Sequence, residues 1–81
     1  MHSKDYKEAI DCYTKSISMF PNDPATFSNR AMAHLKLKEY ARVIDDSTQA
    51  IKLSPDYVKA YHRRGKAYVA VNKLDLAIRD F

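Results

Sequence analysis

One glycine and three prolines give this 81-residue chain few places where a helix must break. The single glycine also leaves no room for a glycine-rich phosphate loop, and no other nucleotide signature is present. Cysteine is nearly missing. Cys12 stands alone, so no disulfide can form within the chain, and a reducing compartment is the simpler expectation. No apolar run approaches the ~20 residues of a membrane span, and the N-terminus lacks the apolar core of a secretory signal. These absences predict a cytoplasmic protein without a membrane partner. His2, His34 and His62 do not cluster with Cys12, so no metal set occurs at usable spacing. No Ser-His-Asp arrangement is visible. Asp45 and Asp46 are neighbours on a helix and diverge by ~100°, which speaks against paired action. The expectation is a non-enzyme, with no catalytic residues, no metal and no cofactor.

What remains is helix-forming material: 46% hydrophobic and 30% charged residues, a composition suited to a helical domain. A chain this short is one unit whose core, buried alone, is marginal. The charge is uneven. Residues 58–71 carry Lys59, Arg63, Arg64 and Lys66 and no acid, so they equal the formal net charge of the whole chain, +4. Ala60, Tyr61, Ala67, Tyr68 and Val71 recur there at three- and four-residue steps. That pattern predicts a helix with one buried and one basic side, and the basic side suits an acidic partner.

The chain also repeats itself. Pro21 and Pro55 lie 34 residues apart, and the same shift brings like onto like elsewhere. Tyr6 falls on Tyr40 and then Leu74, Ala9 on Val43 and Ala77, and Ile10 on Ile44 and Ile78. Ile17 meets Ile51, and Met19 meets Leu53. In the other half of the period Phe27 meets Tyr61, Arg30 meets Arg64, Ala31 meets Gly65 and Ala33 meets Ala67.

A 34-residue helix–turn–helix period with Phe27, Ala31, His34, Val43, Ser47, Ala50 and Pro55 at its marked positions resembles the tetratricopeptide repeat. Tyr61, Gly65, Tyr68, Ala77 and Phe81 continue it. His34 and Ser47 stand where aromatics are usual, and Ser16 where alanine is. The resemblance implies an all-α, right-handed superhelical array of antiparallel helix pairs, with about five helices. Residues 1–23 would be the second helix of a partial repeat, 24–57 a full repeat and 58–81 a truncated one.

In chain order, helices are expected at 4–19, with Ser3 as N-cap and Tyr6, Ala9, Ile10, Tyr13 and Ile17 inward. The second is expected at 24–37, capped by Asp23 with Pro24 in its first turn. It should bury Phe27, Ala31, His34 and Leu35. After the turn Lys38-Glu39 comes a helix at 40–53, burying Tyr40, Val43, Ile44, Ser47, Ala50 and Ile51. Ser54-Pro55-Asp56 should repeat the stop and the cap before the helix at 58–71. Asn72 suits the left-handed conformation at its end, and a fifth helix should begin near Lys73. Ala31 and Gly65, facing Ala50 and Ala77, fit close helix approach, where a larger side chain would cost ~1–3 kcal/mol. Neither end carries a polar capping helix, so the segment is expected to be part of a longer array. Otherwise Tyr6, Tyr13, Leu74, Ile78 and Phe81 should be covered by a partner or by self-association.

The resemblance also implies a site. In co-chaperone domains of this family the first helices line a concave groove, and a dicarboxylate clamp there binds acidic C-terminal tails, Glu-Glu-Val-Asp, of heat-shock chaperones. The clamp asparagine matches Asn29 in Phe27-Ser28-Asn29-Arg30. The clamp lysine and arginine match Lys59 and Arg63 in Lys59-Ala60-Tyr61-His62-Arg63, one helical turn apart. Asn29 precedes Arg63 by one period, which sets them side by side. Ser28, Met32, Lys36, His62 and Lys66 would line the same groove. Charge-assisted bonds from such groups to carboxylates are the strong kind. The family's remaining clamp lysine and asparagine belong to a helix that has no counterpart in this segment. Two other readings compete. One is a structural scaffold in a larger assembly, without tail binding. The other is nucleic-acid binding by Arg63 and Lys66 with Tyr61 and Tyr68, which the position of both tyrosines on the packing stripe disfavours. Arg64, the counterpart of Arg30, is expected to form an inter-repeat salt bridge with Asp45, Asp46 or Asp80.

Overall fold

A computed structural model describes residues 3–72. Four helices follow one another: α1 (Ser3–Met19), α2 (Pro24–Lys36), α3 (Tyr40–Leu53) and α4 (Val58–Ala70). The described residues form no strand, so the expected all-α class and its antiparallel helix pairs hold. The helix expected from Lys73 lies outside the described residues, as do Leu74, Ala77, Ile78, Asp80 and Phe81. Ser3 falls inside α1 rather than before it, a one-residue difference of the kind common at helix ends.

Local chemistry sets the breaks. Asp23 caps α2 as expected: its Oδ1 accepts the Ala25 N–H at 3.0 Å and its Oδ2 the Thr26 hydroxyl at 3.2 Å. Pro24 occupies the first helical position, where no amide hydrogen is needed. Lys38 leaves α2 with φ 61°. The Glu39 amide then reaches back to the His34 carbonyl and the Lys38 amide to that of Leu35, both at 3.0 Å, closing a Schellman turn. One period later Asn72 has φ 64° and its amide donates to the Val69 carbonyl. The cap on α4 departs from expectation. Its N-cap is Tyr57, which makes no side-chain capping bond, while Asp56 accepts the Ser54 hydroxyl at 2.8 Å. Asp56 sits one residue too early, because the period carries Asp23 onto Tyr57.

Packing makes α2 the centre: it touches α1, α3 and α4, and α3 also touches α4. Two apolar clusters fill the seams. Phe27, Ala50 and Ala60 form one, with Ile17, Ile51 and Tyr57 against it. Ala31, Val43 and Ala67 form the other, with Leu35, Tyr40 and Ile44. Most of these buried side chains are single methyl groups, so the helices meet closely. Gly65, also buried, fits the same rule. Its propensity cost of ~1 kcal/mol in a helix is offset by the approach it permits. The predicted inward residues among those described are buried or half-buried, except Val71, which follows the last turn of α4 and is 40% exposed. Ser47, fully buried where the family favours an aromatic, has no hydrogen-bond partner for its hydroxyl among the described residues. The resulting body is thin, 34 × 28 × 16 Å.

Buried polar groups complete the core. Arg30 donates from Nε and from one terminal nitrogen to the two oxygens of Asp46, both at 2.7 Å, and from the other to the Thr14 hydroxyl at 3.1 Å. One guanidinium thus joins α1, α2 and α3. Its hydrogen bond to Asp46 raises the Arg30 pKa against the opposing effect of burial. His34 is buried beside them, with Nδ1 3.0 Å from Glu39 and Nε2 3.8 Å from Asp46. Arg64 occupies the matching place one period on; of its expected partners, Asp46 is held by Arg30 and Asp80 lies outside the described residues. Arg64 donates to the Thr48 hydroxyl at 3.3 Å and lies over the rings of Tyr61 and Tyr68, 5.6 and 5.8 Å from their centroids.

Candidate peptide-binding cleft

The basic side of α4 opens onto a cleft of about 400 Å³ beside α2. Met32, Leu35 and Lys36 enter from α2, and Val58, Lys59, His62, Arg63 and Lys66 from α4. Among the described residues every lining side chain is apolar or potentially cationic, and none is acidic. Lys59, Arg63 and Lys66 share this wall because they recur at four- and three-residue steps on one helix. Of the predicted site residues, six therefore line one cleft: Met32, Lys36, Lys59, His62, Arg63 and Lys66. Asn29 is half-buried on α2 and is not among the lining residues. Ser28, expected on the groove wall, is fully buried beneath it.

Arg63 is the unusual group. It is half-buried, and a terminal nitrogen donates to the Ser28 hydroxyl. Among the described residues no carboxylate pairs with it. Burial lowers its pKa from the ordinary arginine value, an effect the nearby phenols of Tyr57 and Tyr13 partly oppose. A guanidinium removed from water without a counter-ion favours an incoming anion. Leu35 and Val58 were not foreseen as cleft residues. Leu35 reads as core from its period, and it serves both surfaces. Val58 is 76% exposed and supplies apolar surface beside Lys59. The closeness of Ser28, Tyr13 and Tyr57 to Arg63 was also not foreseen. The one hint in the sequence is that Ser28 immediately precedes the residue one period before Arg63.

Comparison with known proteins gives the class. The family model described as "Tetratricopeptide repeat" matches residues 1–23 and 25–57. The chain belongs to the tetratricopeptide repeat family. It is 44% identical over 77 residues to serine/threonine-protein phosphatase T of Aspergillus oryzae, covering 95% of this chain and 16% of that protein. Among solved structures it resembles the second TPR of Spaghetti (RPAP3) bound to the HSP90 peptide SRMEEVD. The TM-score is 0.93 and the identity 43%, over 94% of this chain and 70% of that one. The second TPR domain of human RPAP3, in complex with the HSP70 peptide SGPTIEEVD, is 43% identical with a TM-score of 0.89, over 93% and 62% of the two chains. The chain thus spans less than a quarter of the curated relatives' length.

Proposed function

We propose that the cleft between α2 and α4 binds the acidic C-terminal tail of a heat-shock chaperone, as a protein–protein interaction module without catalysis of its own. The carrying observation is Arg63: half-buried, and among the described residues without a carboxylate partner and in a cleft whose lining contains no acid. Lys59 and Arg63 would hold the two carboxylates of a terminal aspartate. Asn29 would serve the main chain after a side-chain movement toward the cleft. Met32, Leu35 and Val58 offer an apolar floor for the penultimate valine, and Lys36, His62 and Lys66 would meet acidic residues further upstream. Two relatives of this fold are solved with peptides ending in Glu-Glu-Val-Asp, which supports the choice of ligand. In the same reading residues 24–57 form the full repeat, residues 1–23 and 58–81 belong to its neighbours, and the protein works in the cytosol.

The test is calorimetry with the peptide Ser-Arg-Met-Glu-Glu-Val-Asp. Wild-type protein should bind the free acid and bind its C-terminal amide far more weakly. Arg63→Glu should abolish binding while the helical circular dichroism signal is kept. Equal affinity for acid and amide, or an unaffected Arg63→Glu variant, would rule the clamp out.

A further inference from the structure

Two arginines in this small fold are held in opposite ways. Arg30 has both oxygens of Asp46 on its fork, so its charge is already answered within the core. Arg63 is held by a neutral hydroxyl, that of Ser28. A hydroxyl can accept one N–H but carries no charge to cancel, so it fixes a guanidinium without neutralising it. Ser28 is itself fully buried on α2, inside the packed seam rather than on the wall of the cleft. Its side chain therefore cannot touch a peptide lying in the cleft, yet it grips the residue that would.

We propose that Ser28 is a positioning residue for this cleft, whose buried hydroxyl presets the Arg63 guanidinium for a carboxylate. The inference rests on the tail-binding reading and deepens it. A free arginine side chain must give up rotamer freedom when it binds, and a group already ordered in the free protein gives up less. The bond to Ser28 leaves the other guanidinium donors of Arg63 unpaired among the described residues, and a carboxylate can take two of them side by side. An aspartate at position 28 would instead fill the fork as Asp46 fills that of Arg30. Ser28 thus keeps the cation ordered and available together.

Calorimetry with the same free-acid heptapeptide, on wild type, Ser28→Ala, Arg63→Met and the double variant, tests this. Ser28→Ala should bind about five- to tenfold more weakly at an unchanged melting temperature, and should have no effect once Arg63 is methionine. A merely structural role would weaken binding equally in both backgrounds, and that result would overturn the proposal. Relaxation of the Arg63 Nε–H group by nitrogen-15 NMR gives a readout without ligand. The group should be ordered in free wild type and mobile in Ser28→Ala, and equal mobility in both would also overturn it. Wild type that binds, with a Ser28→Ala variant that binds as tightly, removes only the positioning role. Wild type that fails to bind the heptapeptide removes the tail-binding reading and this inference with it.

Discussion

Arg30 and Asp46 show how much one side-chain pair can hold in a fold this thin. The arginine bonds α1 through Thr14 and α3 through Asp46, and His34 packs against the same carboxylate. Removing Asp46 would strand a partly buried cation and leave His34 with Glu39 alone. Asp46→Ala should lower stability by about 2–3 kcal/mol in urea unfolding, less than the ~3–5 of fully buried pairs, because the Arg30 side chain keeps 20% of its exposure. A loss within 0.5 kcal/mol would count the pair as a surface contact. This network was only partly legible in the sequence. His34 was readable as core from its place in the period, but its hydrogen bond to Glu39 and its closeness to Asp46 were not. Asp46 was one of three acids open to Arg64, with Asp45 and Asp80, because sequence spacing alone cannot say which of two equivalent arginines reaches it.

At the scale of elements, the helix boundaries were readable because their chemistry is local. Asp23-Pro24 and the period of apolar residues place α2 and α3 to within a residue of the observed ends. The misreading at Asp56 has the same origin. Asp-containing turns look alike in sequence, and only the register tells a cap from the residue before one. The left-handed turn at Lys38 has no counterpart in the sequence, unlike that at Asn72 one period later, because lysine carries no signal for positive φ. That turn can be improved. Lys38→Gly should relieve the steric cost and raise stability by about 0.5–1 kcal/mol, read as a higher denaturant midpoint at unchanged slope. A decrease would mean that the Lys38 side chain contributes more than its backbone loses.

For the whole molecule, the concentration of positive charge along one wall matters more than the net +4. Lys36, Lys59, Arg63 and Lys66 face one cleft, so an acidic peptide should be drawn in by a field that salt screens within ~10 Å at 0.1 M. The association rate with the heptapeptide should fall roughly tenfold between about 0.02 and 0.5 M salt, with a smaller change in the dissociation rate. A salt-independent rate in stopped-flow fluorescence would show that shape, not charge, brings the peptide in. The cleft itself was legible because a 34-residue period turns sequence distance into adjacency. What the period could not supply was depth: it placed Ser28 on the wall, whereas the close approach of α2 and α4 submerges it.

That close approach comes from alanine. Ala31, Ala50, Ala60 and Ala67 hold the seams with one methyl group each, so the gap between α2 and α4 is gauged by residues a ligand never meets. Lengthening Ala60 or Ala67 by a carbon or two would wedge the helices apart and widen the cleft, with Lys59 and Arg63 still in place. On the proposed function, sequence drift at these positions would change which tails fit without altering a single contact residue. Selectivity in such a cleft would then be partly a property of the hidden face of each helix.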